Sequence, residues 1–218
     1  MLKLIIFDLD GTLLNTIEDL ANSTNYALNV FNFPQHAVEE YNFFVGNGIN
    51  KLLERALPEA HRNADTVSMI RHEFLKHYAA HSEEFTKPYE GTVELLAKIQ
   101  DKGLQIAVAS NKIDDATVKL TKYFFPAIRF ATIVGQREGF PIKPNPAVVD
   151  EIIGNSAVAK DEVLYVGDSG VDVMTAHNAG VRFVGVLWGF RPKSELEALG
   201  ASRFVANTQE LEQIIFHE

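Results

Sequence analysis

Two aspartates stand directly after the first apolar run of the sequence. Residues 4–7 read Leu-Ile-Ile-Phe, and Asp8 and Asp10 follow with one leucine between them. Side chains alternate along a strand, so the two carboxylates should point to the same side. Two like charges held this close repel each other unless something positive lies between them. The stretch therefore predicts a binding partner at this point, most simply a metal ion.

Short apolar runs typical of strands recur along the chain and alternate with segments of helical spacing. The runs cover residues 2–7, 104–109, 128–134, 162–167 and 182–187. The helical segments between them cover residues 91–103, 114–124, 145–154 and 171–180. Such alternation favours an α/β fold in which a Rossmann-like, doubly wound parallel sheet is covered by helices on both faces.

One long segment has no convincing strand. Between residue 15 and about residue 85, apolar residues follow helical spacing in three stretches that are separated by Pro34, Pro58 and the Gly46–Gly48 turn. We interpret this segment as a helical insertion after the first strand. The expected organisation is a catalytic core formed by residues 1–14 and 87–218, with a helical cap domain formed by residues 15–86.

Further polar residues follow the later strands. They are Ser110, Asn111, Lys143, Asp168 and Asp172. Ligands of open parallel sheets bind outside the carboxyl ends of the strands, so all of these residues should meet the two aspartates at one edge. Converging carboxylates suit a hard cation, and Mg²⁺ fits best because it combines one or two carboxylates with a phosphate. Lysine, a hydroxyl and loop amides suit phosphate oxygens. The set predicts a phosphoryl-transfer site with an aspartate nucleophile.

Composition limits the possible partners. The net charge of −9 argues against binding to a nucleic-acid backbone. The sequence contains no cysteine, which excludes disulfides, thiolate nucleophiles and Cys-ligated zinc and fits a cytoplasmic location. Neither a signal peptide nor a membrane span is expected, since no apolar run is long enough. We expect a small phosphorylated metabolite as partner, and a monomer or homodimer.

Four motifs resemble those of the haloacid dehalogenase superfamily in both order and context. They are D-L-D-G-T-L at 8–13, V-A-S-N-K at 108–112, K-P-N-P at 143–146 and G-D-S-G-V-D at 167–172. The insertion resembles the small helical cap of this superfamily's phosphatases. Residues 44–57 and 186–192 are similar to segments of the bacterial phosphoglycolate phosphatases. Many relatives carry Asp-Ser where this chain has Asn15-Thr16, at the hinge into the cap.

The resemblance assigns a role to each residue of the core motifs. It implies that Asp8 attacks phosphorus to give an aspartyl-phosphate, while Asp10 first protonates the leaving oxygen and then takes a proton from water. Mg²⁺ would be held by Asp8, the backbone carbonyl of Asp10 and Asp168, with Asp172 as an outer partner that orients water or the lysine. Phosphoryl oxygens would be held by the side chains of Ser110 and Lys143 and the amides of Leu9 and Asn111.

The turn formed by Gly46, Asn47 and Gly48 is the candidate for substrate specificity. Its glycines allow close approach of the backbone, and the Asn47 amide can donate to a small carboxylate. The same turn is also a good helix start on structural grounds alone. Ser110 and Asp168 have comparable structural readings as helix caps.

The function predicted from these residues and the resemblance is a magnesium-dependent phosphatase acting on a small monoester, with 2-phosphoglycolate as the expected substrate. A phosphomutase of the same superfamily is the nearest alternative, because it would use the same core. A phospho-acceptor signalling domain would also place an aspartate at a strand end and a lysine in a later loop. An inserted cap and Asp10 argue against such a switch.

Overall fold

The computed structural model describes residues 1–217, and its centre is a parallel six-stranded sheet. The sheet has the order β5-β4-β1-β6-β7-β8. Its strands are β1 (Leu4–Phe7), β4 (Gln105–Ile113), β5 (Thr132–Gln136), β6 (Val163–Gly167), β7 (Arg182–Val186) and β8 (Phe204–Val205). The central strand β1 pairs with β4 on one side and β6 on the other, so Phe7 lies opposite both Val108 and Val166. The sequence order reverses at β1, and ligands bind at such a point in open sheets.

Helices cover both faces of the sheet. They are α5 (Thr92–Asp101), α6 (Asp114–Phe124), α7 (Ala147–Ser156), α8 (Gly170–Ala179), α9 (Lys193–Ala198) and α10 (Thr208–His217). Because side chains alternate along β1, Ile5 and Phe7 pack into the cluster that includes α5 and α10, while Leu4 and Ile6 pack into the one that includes α7 and α8. This doubly covered α/β sheet confirms the predicted fold class.

The insertion is helical throughout its regular elements. It contains α1 (Ile17–Val30), α2 (Tyr41–Phe44), α3 (Ile49–Ala56) and α4 (Ala64–His81). These helices enclose an apolar cluster of their own, in which α1 packs along α4. Both ends of the insertion run through one small antiparallel pair, β2 (Leu14–Asn15) and β3 (Lys87–Pro88). We retain residues 15–86 as the proposed cap domain.

Two strand boundaries differ from the prediction. The run expected at 128–134 begins as a strand only at Thr132, because its first residues form a turn in which the Ile128 amide donates to Phe125 O; the Ala131 amide is the first to bond to β4, at Ile106 O. Strand β4 extends to Ile113 with an irregular register after Ala109, so Ser110 and Asn111 lie inside it rather than after it. None of the helices within residues 1–217 is long and apolar enough to span a membrane.

Candidate active site

The carboxyl edge of β1 carries the first two aspartates. The Asp8 amide still donates to Val166 O, so Asp8 continues the strand ladder, and its side chain is buried. Its Oδ1 atom accepts from the Leu9 amide at 2.7 Å. The chain then turns sharply at Gly11, whose φ of +89° is one that residues with side chains rarely adopt. This turn places Asp10 on the wall of a cavity that Asp8 also lines.

Lys143 lies beneath Asp8 and connects two strand ends. Its Nζ atom is 2.9 Å from Asp8 Oδ1 and 2.8 Å from Asp172 Oδ1, and it donates to Ala109 O at 3.0 Å. Burial disfavours the ammonium, but the carboxylates of Asp172 and Asp8 more than offset this, and the pKa of Lys143 lies well above its usual range. Lys143 is therefore a fixed positive charge that holds one oxygen of Asp8.

Asp168 and Asp172 are held from outside the cavity. Asp168 accepts from the Thr12 hydroxyl at 3.1 Å and from the Phe190 amide at 2.8 Å. Asp172 accepts from the Ser169 hydroxyl at 2.6 Å as well as from Lys143. A Cβ atom at Gly189 would lie 2.2 Å from Asp168 Cβ, so glycine is required there for the loop to close over the carboxylate.

Three buried carboxylates converge. One oxygen from each of Asp8, Asp168 and Asp172 lies within 4.8 Å of the others. Burial, followed by the charge of Asp172, raises the pKa of Asp8 to about 7. The same two causes hold the pKa of Asp168 well above its usual range. A cation between these oxygens would relieve that repulsion, and an all-oxygen donor set is the kind that Mg²⁺ prefers. The residues present therefore fit the expected metal.

Asp10 has a different environment, built by residues that received no role from the sequence. Lys112 Nζ lies 3.0 Å from Asp10 Oδ1 and 3.1 Å from Oδ2. The Thr16 hydroxyl donates to Oδ1 at 2.7 Å. The lysine is buried and also lies over the Tyr78 ring, 4.8 Å from its centroid. One signal could have indicated Lys112, which is its position two residues after Ser110 in the V-A-S-N-K stretch.

The side chains that follow Ala109 connect separate loops. Ser110 lines the cavity, and its hydroxyl accepts from the Lys112 amide at 3.2 Å. Asn111 accepts from the Lys143 amide at 2.8 Å and donates at 3.0 Å to both Lys143 O and Gly46 O. Asn111 thus ties the core lysine loop to the insertion. The predicted roles of the Leu9 and Asn111 amides in phosphate binding stay predictions.

The insertion closes over the carboxyl edge and leaves a cavity of about 430 Å³ between itself and the core. Gly46 and Gly48 line this cavity. The Asn47 side chain accepts from Arg55 at 2.8 Å, so its oxygen serves to hold the turn. From the core side, Arg191 donates to Val45 O at 2.8 Å and to Phe43 O at 3.2 Å. The specificity role predicted for this turn stays a prediction.

Comparison with known proteins adds to this geometry. The haloacid dehalogenase-like hydrolase family matches residues 5–186. A phosphoglycolate phosphatase of Mannheimia succiniciproducens is 33% identical over 194 residues, which cover 86% of this chain and 87% of that protein. One of Haemophilus influenzae is 34% identical with the same coverage. A crystal structure from Lactobacillus delbrueckii subsp. bulgaricus, provisionally named a phosphoglycolate phosphatase, is 31% identical over 99% of both chains with a TM-score of 0.94.

Proposed function

Because the chain belongs to the haloacid dehalogenase-like hydrolases and is a phosphatase, we propose that it hydrolyses 2-phosphoglycolate with Mg²⁺ as cofactor. The observation that carries this proposal is the pair of aspartates in different environments. Asp8 lies buried against Lys143 and two further carboxylates, whereas Asp10 faces the cavity and is paired with Lys112. One environment suits a nucleophile held in place, and the other suits a group that exchanges protons.

In the first step, Asp8 attacks phosphorus. Its Oδ1 atom is engaged by Lys143 and by the Leu9 amide, which leaves Oδ2 as the attacking oxygen. The new bond joins Oδ2 to phosphorus as the ester bond breaks. The departing alkoxide takes a proton from Asp10. Fixing one oxygen of the nucleophile limits rotation of the carboxylate and so reduces the entropy lost on reaching the transition state.

In the second step, Asp10 accepts a proton from water as that water attacks phosphorus and releases the Asp8 carboxylate. The ammonium of Lys112 lies 3.0 Å from Asp10 Oδ1 and holds this carboxylate at the cavity wall, where it can accept the proton. The Thr16 hydroxyl fixes the orientation of the same carboxylate. The two steps together return both aspartates to their starting states.

The negative charge on the phosphoryl oxygens is stabilised by positive groups and hydrogen-bond donors. Ser110 and Lys143 are the side chains proposed to contact its oxygens, with the Leu9 and Asn111 amides. Asp8, the Asp10 carbonyl and Asp168 would hold Mg²⁺, which when bound supplies charge neutralisation for the transferring phosphoryl group. Asp172 acts through Lys143, whose position it fixes with a 2.8 Å contact.

The substrate assignment rests on relatives named phosphoglycolate phosphatase that are aligned with 86% of this chain. The cavity of about 430 Å³ between the insertion and the core supports a small substrate. The cytoplasmic location and the monomeric or dimeric state stay predictions.

A panel of phosphate monoesters tests the proposal. With Mg²⁺ present, the purified protein should show its highest kcat/KM on 2-phosphoglycolate and release one phosphate for each ester consumed. The Asp8→Asn variant is the matched control, since it keeps the shape of the side chain and removes the nucleophile. Weak phosphate release together with isomerisation of a sugar phosphate that depends on a bisphosphate primer would instead establish a phosphomutase.

A further inference from the structure

The active-site cavity is lined by three basic side chains, and two of them are already paired. Lys112 binds Asp10 at 3.0 Å, and Lys119 binds Glu83 at 2.6 Å. The third, Arg71 on α4, makes no side-chain hydrogen bond or ion pair with any residue in the described range 1–217, and its Nε–H is buried without an acceptor. A buried donor without a partner destabilises the folded protein, and of the three basic side chains Arg71 is the one whose charge no side chain within residues 1–217 pairs.

The surroundings of Arg71 offer it no acidic partner. It also borders a second cavity, of about 490 Å³, on the outer side of α3. Glu54 in that cavity already accepts with both oxygens from Lys51. Asp115, exposed at the rim of the active-site cavity, makes no ion pair with Arg71 within the described residues. Arg71 thus brings to the cavity lining a positive charge that no acidic side chain within residues 1–217 pairs.

The position of Arg71 separates it from the phosphoryl group. It precedes Tyr78, which stacks on the Lys112 ammonium beside Asp10, by about two helical turns. The intervening wall is apolar, with Phe74 and Leu75 on the same side of the cavity. A ligand that reaches both ends therefore carries its phosphate at Asp8 and a second anionic group toward Arg71.

We propose that Arg71 determines specificity by binding a carboxylate on the alcohol part of the substrate, so that the enzyme selects phosphate esters with a second negative charge. This inference rests on the proposed phosphatase function and extends it from the phosphoryl group to the leaving group. Guanidinium and carboxylate pair well because two parallel N–H groups can donate to both oxygens.

The test compares esters matched in size but not in charge. They are 2-phosphoglycolate with ethyl phosphate, and 3-phosphoglycerate with glycerol 3-phosphate. In Arg71→Met, kcat/KM for the carboxylated esters should fall about 10- to 100-fold, the range for loss of one hydrogen bond between charged groups, mainly through KM. The esters without a carboxylate should change by less than about threefold. Arg71→Lys should recover part of the loss.

Lys76→Met is the matched control, since it removes an exposed charge from the same helix outside the cavity. It should leave unchanged the ratio of kcat/KM between the two esters of each pair. Thermal unfolding gives a second readout: Arg71→Met should melt at the same temperature as the wild type or higher, because it removes a buried donor without an acceptor.

Two failures can be told apart. If the wild type does not prefer 2-phosphoglycolate in the panel but still prefers 3-phosphoglycerate over glycerol 3-phosphate, and Arg71→Met abolishes that preference, the substrate proposal fails and the Arg71 proposal stands. Equal losses on the esters with and without a carboxylate in Arg71→Met, or no loss on either, would overturn the Arg71 proposal whatever the wild-type substrate is.

Discussion

Lys112 and Asp10 form a partly buried ion pair at the wall of the cavity, with the ammonium 3.0 Å and 3.1 Å from the two carboxylate oxygens. Burial disfavours the ammonium, yet Asp10 and then Tyr78 more than offset this and raise the pKa of Lys112 above its usual range. The lysine is therefore charged throughout the neutral range, and it fixes the group proposed to move protons.

Replacing Lys112 by methionine should lower kcat on 2-phosphoglycolate by about 10- to 100-fold, a part of what a positioned acid–base group contributes. The loss should be smaller for the first step with para-nitrophenyl phosphate, whose leaving group needs no proton. Steady-state kinetics measure kcat on 2-phosphoglycolate, and burst kinetics measure the first step with para-nitrophenyl phosphate. Lys119→Met, which removes a charge from the same cavity but from a pair with Glu83, should change kcat by less than about twofold.

The hinge residue Thr16 should affect the same chemistry. Its hydroxyl donates to Asp10 at 2.7 Å, so Thr16→Val removes one orienting bond and keeps the shape. We expect kcat to fall by about 3- to 10-fold, the equivalent of one ordinary hydrogen bond. Thr16→Ser should retain most of the activity. If Ser and Val variants behave alike, the hydroxyl has no part in positioning Asp10.

The sequence predicted the core of this site well because strand ends impose their own geometry. Asp8, Asp168 and Asp172 meet as expected, since parallel strands deliver their following residues to one edge. Lys143 reaches the same point from a loop. Local periodicity likewise predicted α1, α3 and α4.

Contacts between distant segments could not be predicted in the same way. The partners of Asp10 depend on how far β4 continues beyond Ala109, and its irregular register has no signal in the pattern of apolar residues. The Asn15-Thr16 departure gave no hint that Thr16 would bind Asp10. Arg55 supports the Asn47 turn only because α3 packs beside residues 43–47, which is a tertiary effect.

Metal dependence should be strict. Removal of divalent metal by a chelator should abolish phosphate release, and Mg²⁺ should restore it, because three converging carboxylates otherwise repel the substrate. Ca²⁺ should inhibit, since it is larger and takes more oxygen ligands. Mg²⁺ should also raise the melting temperature of the wild type and have a smaller effect on Asp168→Asn. Full activity in excess chelator would contradict the metal assignment.

Arg191 should control the docking of the cap. It donates from the core to Phe43 O and Val45 O, and its guanidinium lies 5.5 Å from the centroid of the Phe43 ring. Arg191→Met should raise KM and lower kcat, with a fall of about tenfold in kcat/KM. The fall should be similar for esters with and without a carboxylate, because cap closure serves every substrate. Lys193→Met, an exposed neighbour paired with Glu197, is the control. A loss confined to one class of ester would assign Arg191 to substrate recognition instead.

The central claim is that Asp8 carries the phosphoryl group and Asp10 is needed to remove it. The most direct measurement is mass spectrometry of the Asp10→Asn variant after rapid acid quenching with para-nitrophenyl phosphate, whose leaving group departs without a proton. We predict a burst of about one nitrophenolate per enzyme and one added phosphoryl group on the peptide that contains Asp8, with neither in Asp8→Asn. The absence of an adduct, or its location on any other residue, would contradict the account.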